Sequence, residues 1–456
     1  MIDYLNKIER HSFMRTIPIY FLRVICFTFI ILLSGLSHAQ DSPSQVEKST
    51  SKDSTDQAGS YKPMLGTKVA STKYGDVNLR FYTYVRYLNQ LGLESEYTNS
   101  FGQTSTIKKR QDVQLQKALI FFGGWFLQPK FRYLLYVWTN NTAQGQLAQV
   151  VVAGLISYNF NKHFTLVGGT ISLPGVRSTD GQFPMWLSVD NRMISDEFFR
   201  PSYTMGIGVK GKIVEKLDYQ IMIGNNLSQL GIDAGQLDNQ FNTVSAALNY
   251  FPTTGEYGMM NSSFGDYENH QEAASRLGAH FTRSDEDRQG QPTNSAFDNV
   301  QIRLSDGSVI FAPDLFGAGT QINKARYQMT SFDAGVKYHG FALEGEYYWR
   351  WIDNFRVTGP PLTIDQLFDN GFQLQASGML LPQTLQLYLA GSKIFGEYGD
   401  PWELRAGLNW FPFNNRYARF NAQYIYTNKS PVGGLAYPFT VGGTGSVYTL
   451  DFEINY

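Results

Sequence analysis

The side chains able to do covalent chemistry are few, and their spacing assembles no reaction centre. Six histidines occur, none in the H-E-x-x-H spacing of a zinc site. The single cysteine, Cys26, lies in an apolar N-terminal run, so no thiol pair exists for a disulfide or a metal. No G-x-S-x-G elbow is present to raise a nucleophilic serine. Gly206-Ile207-Gly208-Val209-Lys210-Gly211 fits G-x-G-x-x-G, but Met205, Ile207 and Val209 alternate through it and no helical pattern follows. A dinucleotide site needs that helix N-terminus, so these glycines are expected to ease the curvature of a strand. His280, read at a strand end, is the remaining candidate for hydrolytic chemistry, and it would need a nucleophile beside it. The expectation is therefore no enzyme, no cofactor and no metal.

The charges say more. Arg80, Arg86, Lys210, Lys212, Arg276, Lys337, Arg350, Arg405 and Arg419 fall on one parity of alternating stretches. Asp218, Asp333, Glu344, Glu346, Glu403, Asp451 and Glu453 fall on the same parity. The other parity is apolar. A packed soluble core would leave such charges unhydrated, whereas the wet inner wall of a barrel accommodates them. Rings of basic groups would favour anions. Pairs across neighbouring strands would instead brace the wall. Both readings stay open. Residues 174–202 add Arg177, Arg192 and Arg200 among Phe183, Trp186, Phe198 and Phe199. A loop this apolar is expected to pack, most simply by folding into the lumen, where its three arginines form a candidate constriction for anions. Packing against a neighbouring subunit would explain the aromatics equally.

These residues need strands to position them. Tyr448, Leu450, Phe452, Ile454 and Tyr456 alternate with Thr449, Asp451, Glu453 and Asn455, a period-2 strand with one apolar face. Similar segments start near Asp76, Asp112, Phe131, Gln146, Phe164, Tyr203, Leu217, Asn242, Ala273, Ser331, Phe341, Gly371, Leu385, Glu403, Tyr417 and Ser446, sixteen in all. The connections alternate. Long ones span 91–111, 140–145, 174–202, 226–241, 284–330, 352–370, 396–402 and 428–445. Short ones include Leu127–Lys130, Val214–Lys216, Gly340 and Leu381–Thr384. Residues 252–272 break the rule, and Gln301 to Phe311 looks like an extra hairpin turning at Asp306-Gly307. The fold class expected is all-β: a transmembrane antiparallel β-barrel of about sixteen strands, with long extracellular loops and short periplasmic turns. Closure would pair the last strand with the first, setting Tyr456 at an interface.

Composition agrees. Aromatics make up 15% and 43 glycines occur, which argues against disorder. The mean hydropathy of −0.26 argues against several membrane helices. With 38 basic and 39 acidic residues, nothing points to nucleic acid. The apolar run 24–36, ending in Ser37-His38-Ala39, reads as a secretory leader over 1–39. Residues 40–75 read as a polar flexible segment, and 76–456 as the barrel.

Several stretches resemble the phosphate-selective porin O and P family. They are Gly168-Gly169-Thr170, the loop carrying Arg192, Phe198, Phe199 and Arg200, and Gly206-Ile207-Gly208. Asp218-Tyr219-Gln220-Ile221, the stretch Phe332 to Arg350 and Leu408-Asn409-Trp410-Phe411-Pro412 agree with them. The resemblance implies a trimeric, sixteen-stranded outer-membrane porin with its third loop folded inward, passing small hydrophilic solutes and anions such as phosphate. Outer-membrane lipid, small anions and two further copies of the chain are the expected partners. The alternatives are a hydrophobic-substrate transporter, which would need an apolar hatch where this chain is polar, and a sealed binding or adhesion barrel displaying 284–330.

Overall fold

The computed structural model describes residues 59–62, 65–140, 149–180, 185–228, 241–288, 301–434 and 437–456. The expected leader and Phe183 lie outside them. Two short strands, β1 (Tyr61–Lys62) and β2 (Gly66–Thr72), come first, so part of the segment read as flexible is ordered. The wall opens with β3 (Gly75–Leu93), whose following connection carries a small hairpin of β4 (Glu96–Thr98) and β5 (Thr104–Thr106). The wall then runs through β6 (Gln111–Phe126), β7 (Gln128–Asn140), β8 (Gln149–Asn161), β9 (Phe164–Ser172), β10 (Tyr203–Val214), β11 (Leu217–Gly224) and β12 (Thr243–Tyr250). It continues as β13 (Ala274–Asp287), β14 (Gln321–Tyr338), β15 (Phe341–Thr358), β16 (Leu367–Leu381), β17 (Leu385–Phe395), β18 (Trp402–Trp410), β19 (Ala418–Asn428) and β20 (Gly445–Asn455). Each strand pairs antiparallel with the next, and β20 pairs back on β3, closing a transmembrane barrel of sixteen strands.

Closure satisfies the backbone at the seam, as a barrel in lipid requires. Tyr456 N–H donates to Phe81 O at 2.8 Å. Just beyond that point β2 takes over as the neighbour of β3, pairing Thr67 with Leu79. Tyr61 of β1 stacks on Tyr456 with centroids 5.3 Å apart and meets Tyr417 edge-on at 4.5 Å. The aromatic ending of the strand thus sits in a cluster of three tyrosines.

Strand parity follows the sequence pattern. Val85, Leu135, Val152, Ile207, Leu389 and Leu450 point outward and are exposed, while the sixteen alternating charges point inward. The turn between β14 and β15 is a two-residue loop. His339 (φ 48°) and Gly340 (φ 82°) both adopt positive φ, which matches the twist of the flanking strands.

Three segments depart from the sequence reading. Strand β14 begins at Gln321, ten residues before the expected Ser331. Over its first half the polarity is inverted: Ile322, Tyr327 and Met329 point in and are buried, whereas Lys324, Arg326 and Gln328 point out. This stretch stands above the apolar band and packs on loops, so the lipid-side rule does not govern it. The hairpin near Asp306-Gly307 exists, with Leu304 N–H donating to Ser308 O at 2.8 Å, but it belongs to no wall. Its Ile302, Leu304, Ile310 and Phe311 are buried under the barrel mouth with Phe198, Phe199 and Phe439. The connection 251–273 is long because it folds into the lumen, which the next subsection describes.

The outward face predicts the cost of charge there. Leu450→Arg places a guanidinium on the lipid side of β20 and should destabilise the folded barrel by about 2–4 kcal/mol in urea unfolding from vesicles. A cost below about 0.5 kcal/mol would place this face in water.

Candidate functional site

Two segments enter the barrel from opposite ends. From the long-loop end comes 173–202, with two short helices, α1 (Arg177–Asp180) and α2 (Ile194–Phe199). From the short-turn end comes 251–273. They meet inside: Phe264 N–H donates to Met185 O at 2.9 Å, and Arg177 Nη2 donates to Ser263 O at 3.2 Å. The inner wall makes room for them. A Cβ on Gly335 would lie 2.1 Å from Tyr257 Oη, and one on Gly371 would lie 2.8 Å from Phe199.

A loop inside a barrel carries carbonyl groups that have lost water and need donors. The wall arginines supply them while keeping a carboxylate partner. Arg86 pairs with Asp451 at 2.6 Å and donates to Val189 O at 2.6 Å. Arg405 pairs with Glu403 at 2.7 Å and donates to Arg192 O at 2.6 Å. Arg419 pairs with Glu453 at 2.7 Å and donates to Trp186 O at 2.7 Å. Arg350 pairs with Asp369 at 2.6 Å, and its guanidinium lies 3.9 Å from the ring centre of Phe198. The fork of the guanidinium permits both bonds at once. Wall carboxylates answer the second segment. Glu344 accepts from Arg177 at 2.6 Å, Tyr257 at 3.0 Å and the Gly265 N–H at 2.9 Å. Lys337 donates to Ser263 O at 2.7 Å and Tyr257 O at 3.1 Å.

The three loop arginines are brought into the lumen but engaged by groups of the chain itself. Arg177 is buried between Glu344 and the rings of Phe264 and Tyr257, at 4.2 and 5.1 Å. Arg200 grips Glu197 through two bonds, at 2.6 and 2.8 Å. Burial works against ionised Glu197, but Arg200 outweighs it and holds Glu197 below its usual range. Arg192 lies 3.9 Å from the ring centre of Trp186 and donates to Ser178 at 2.9 Å. His280 is buried with both ring nitrogens engaged: Pro174 O accepts at 3.0 Å and Asp333 at 2.9 Å. Glu346 accepts from Ser331 at 2.7 Å and from the Arg177 N–H at 3.1 Å. The G-x-G-x-x-G run lies wholly within β10 and leads into β11. There Gly206 sits so close to its neighbour that a Cβ would be 2.2 Å from Ile223 O.

What stays open is a cavity of about 480 Å³ against β6 to β12. Its lining spans the barrel from Trp138, Ser172 and Tyr203 near the long loops to Lys162, Lys212 and Tyr219 near the short turns. Five basic residues line it, Arg80, Lys162, Lys210, Lys212 and Arg276, against one carboxylate, Asp218. Lys212 and Asp218 pair at 3.1 Å, and Arg276 meets Asp333 at 2.8 Å. Leu119, Phe121, Leu134, Tyr136, Trp138 and Leu155 form the facing wall. Sequence reasoning missed that wall. Its signal is the failure of alternation in Ala118–Phe122, Tyr133–Trp138 and Val150–Ile156, where both parities are apolar.

No protein-family model and no curated protein matches this chain. Solved structures share its fold. The chain is similar to outer-membrane expressed OmpT of Vibrio cholerae, at 9% identity and TM-score 0.52, covering 85% of this chain and 99% of that one. It is similar to an anion-selective porin from Comamonas acidovorans, at 10% identity and TM-score 0.51, covering 84% and 99%. It is also similar to the outer-membrane channel DcaP of Acinetobacter baumannii, at 8% identity and TM-score 0.50, covering 86% and 100%.

Two tests address the seating of the inserts. Arg177→Met leaves Glu344 ionised and buried without its cation, and should lower stability by about 3–5 kcal/mol in urea unfolding. A change under about 1 kcal/mol would show the pair to be incidental. The second test is pH. Burial, opposed by Arg192 and helped by the charge of Glu346, pushes Asp196 up to about 7. Burial disfavours the His270 imidazolium, but its hydrogen bonds to Asp266 and Glu256 prevail and raise its pKa. Both groups bind their proton more tightly when folded. Each stabilises below its unfolded pKa, and that contribution is lost as pH rises through the folded one. Limited proteolysis of 185–202 should therefore accelerate as pH rises between about 4 and 7, and that of 251–273 as pH rises above about 6.5. Asp196→Asn should flatten the first profile and His270→Gln the second. Flat profiles in the unmodified protein would remove both groups from the latch.

Proposed function

We propose that this chain is an outer-membrane porin through which small hydrophilic solutes and ions diffuse, with a preference for anions. The observation that carries this reading is the open passage lined by five basic residues and one carboxylate. Fixed cations inside low-dielectric walls focus their field on the passage and raise the local concentration of anions. Inorganic phosphate is one anion such a lining admits. The work of selection then falls on Lys210 and Lys212 of the wall, while Arg177, Arg192 and Arg200 hold the loop that narrows the lumen. The similar barrel from Comamonas acidovorans is described as an anion-selective porin, which supports the reading. OmpT of Vibrio cholerae has been solved in a trimer form, and we propose a homotrimer here. Insertion in the outer membrane after removal of residues 1–39 belongs to the same proposal.

A planar bilayer tests it. The purified, refolded protein under a KCl gradient should give stepwise openings with a reversal potential toward chloride, and added phosphate should reduce the current. Replacing both Lys210 and Lys212 by Gln should lower the chloride-to-potassium permeability ratio by roughly threefold to tenfold. A folded barrel that opens no channels would overturn the porin reading in favour of a sealed one. Channels without ionic preference would leave a general porin.

A further inference from the structure

The two walls of the passage are chemically unlike, and a pore for hydrated inorganic ions has no use for one of them. On β6 to β8 the inward residues are Leu119, Phe121, Leu134, Tyr136, Trp138 and Leu155. The outward residues of the same strands, Val113, Leu135, Val150, Val152 and Ile156 among them, are exposed apolar side chains too. A barrel with a water-filled lumen ordinarily alternates apolar-out with polar-in. Here the alternation stops over three adjacent strands that border the open space. Apolar surface held against water is unfavourable by ~25 cal/mol per Å², and contact with an apolar body relieves it. Two strands on from β8, on β10, stand Lys210 and Lys212, and beside the wall is Arg80, whose guanidinium lies 5.0 Å from the ring centre of Phe121. Ring and cation are thus neighbours within one cavity. Its volume of about 480 Å³ falls within the ~300–1,000 Å³ typical of sites for small organic molecules.

Resting on the anion-channel reading, we propose that the passage serves amphipathic organic anions: a carboxylate or sulfonate on an aromatic or branched aliphatic body. The body moves along the face of Phe121, Leu134, Tyr136 and Leu155. The acid group moves along Lys210 and Lys212 toward the short-turn end. No covalent step is involved. A strongly hydrated anion such as phosphate uses only the basic wall and gains nothing from the other.

The test is bi-ionic reversal potentials of the full mature protein in planar bilayers, with benzoate and cyclohexanecarboxylate against chloride, and inorganic phosphate as the comparison. In a plain aqueous pore the larger organic anions permeate more slowly than chloride. This passage should give a benzoate-to-chloride ratio at or above one, and millimolar benzoate should depress the chloride current more than equal phosphate does. The double variant Leu134→Thr with Leu155→Thr, whose β-branched replacements suit a strand, should lower that ratio roughly fivefold. The ratio in the unmodified protein decides the matter even if the variant does not assemble. An anion-selective channel with benzoate well below chloride would overturn the organic-anion proposal and leave the porin reading standing. A channel without anion preference would overturn the organic-anion proposal and leave a general porin, and no channel would overturn both.

Discussion

The buried guanidinium that serves two masters is the interaction on which the interior depends. Drawing a loop into a barrel strips water from its carbonyl groups, and each needs a donor. Placing bare cations there to serve them would carry a heavy desolvation cost. Arg86, Arg405 and Arg419 meet both demands, each with one edge on a wall carboxylate and another on a carbonyl of 185–202. Lysine could not do this with the same rigidity, because a point charge on a flexible stem lacks the planar fork. The same logic serves the segment from the opposite end, with donors and acceptors exchanged. Glu344 receives its side-chain and backbone donors, and Lys337 supplies its carbonyls.

This division of labour splits the barrel. Strands β13 to β20, together with β3, present the paired charges, and the two inserts lie against them. Strands β6 to β9 carry no arginine clamp on their inward face; Lys117 of β6 pairs with Asp190 of the third loop at 2.6 Å and Val189 packs on Leu119, and beyond that contact the space along β7 to β9 stays open. Where charge is neutralised by partners, it organises structure. Where basic groups outnumber acidic ones, as along β10 to β12, it can act on a solute. The arginines with the most suggestive sequence context, those of the third loop, belong to the first kind.

The wall was legible in the sequence for a physical reason: lipid on one side and water or polar groups on the other impose a period of two on every strand. Parity assigned Arg80, Arg86, Lys210 and Glu344 to the inner face because nothing else tolerates them there. It could not say which neighbour each would meet, since pairing depends on register and on the inserts. The first half of β14 escaped because above the lipid band the rule reverses, and Tyr327 and Met329 turn inward. The length of 251–273 was visible as an anomaly. Its meaning was not, because Tyr257, Phe264 and Asp266 find their partners at Glu344, Met185 and Gly340, far away in sequence.

The apolar inner wall was hidden by its own uniformity. A run such as Val150-Val151-Val152-Ala153 is what a strand buried on both faces looks like, and periodicity cannot separate that from a strand with lipid outside and a cavity inside. Only the register from β6 through β8 shows that Leu119, Trp138 and Val151 stand in one inward row at the border of the cavity, with Leu119 itself covered by Val189. That row sets a limit on what the lumen is. Water in contact with such a row is poorly bound and easily displaced by an apolar group. In the proposed channel the lysines of β10 draw negative charge while the apolar row takes the body of the same solute, and selection by either alone would leave the other without a role.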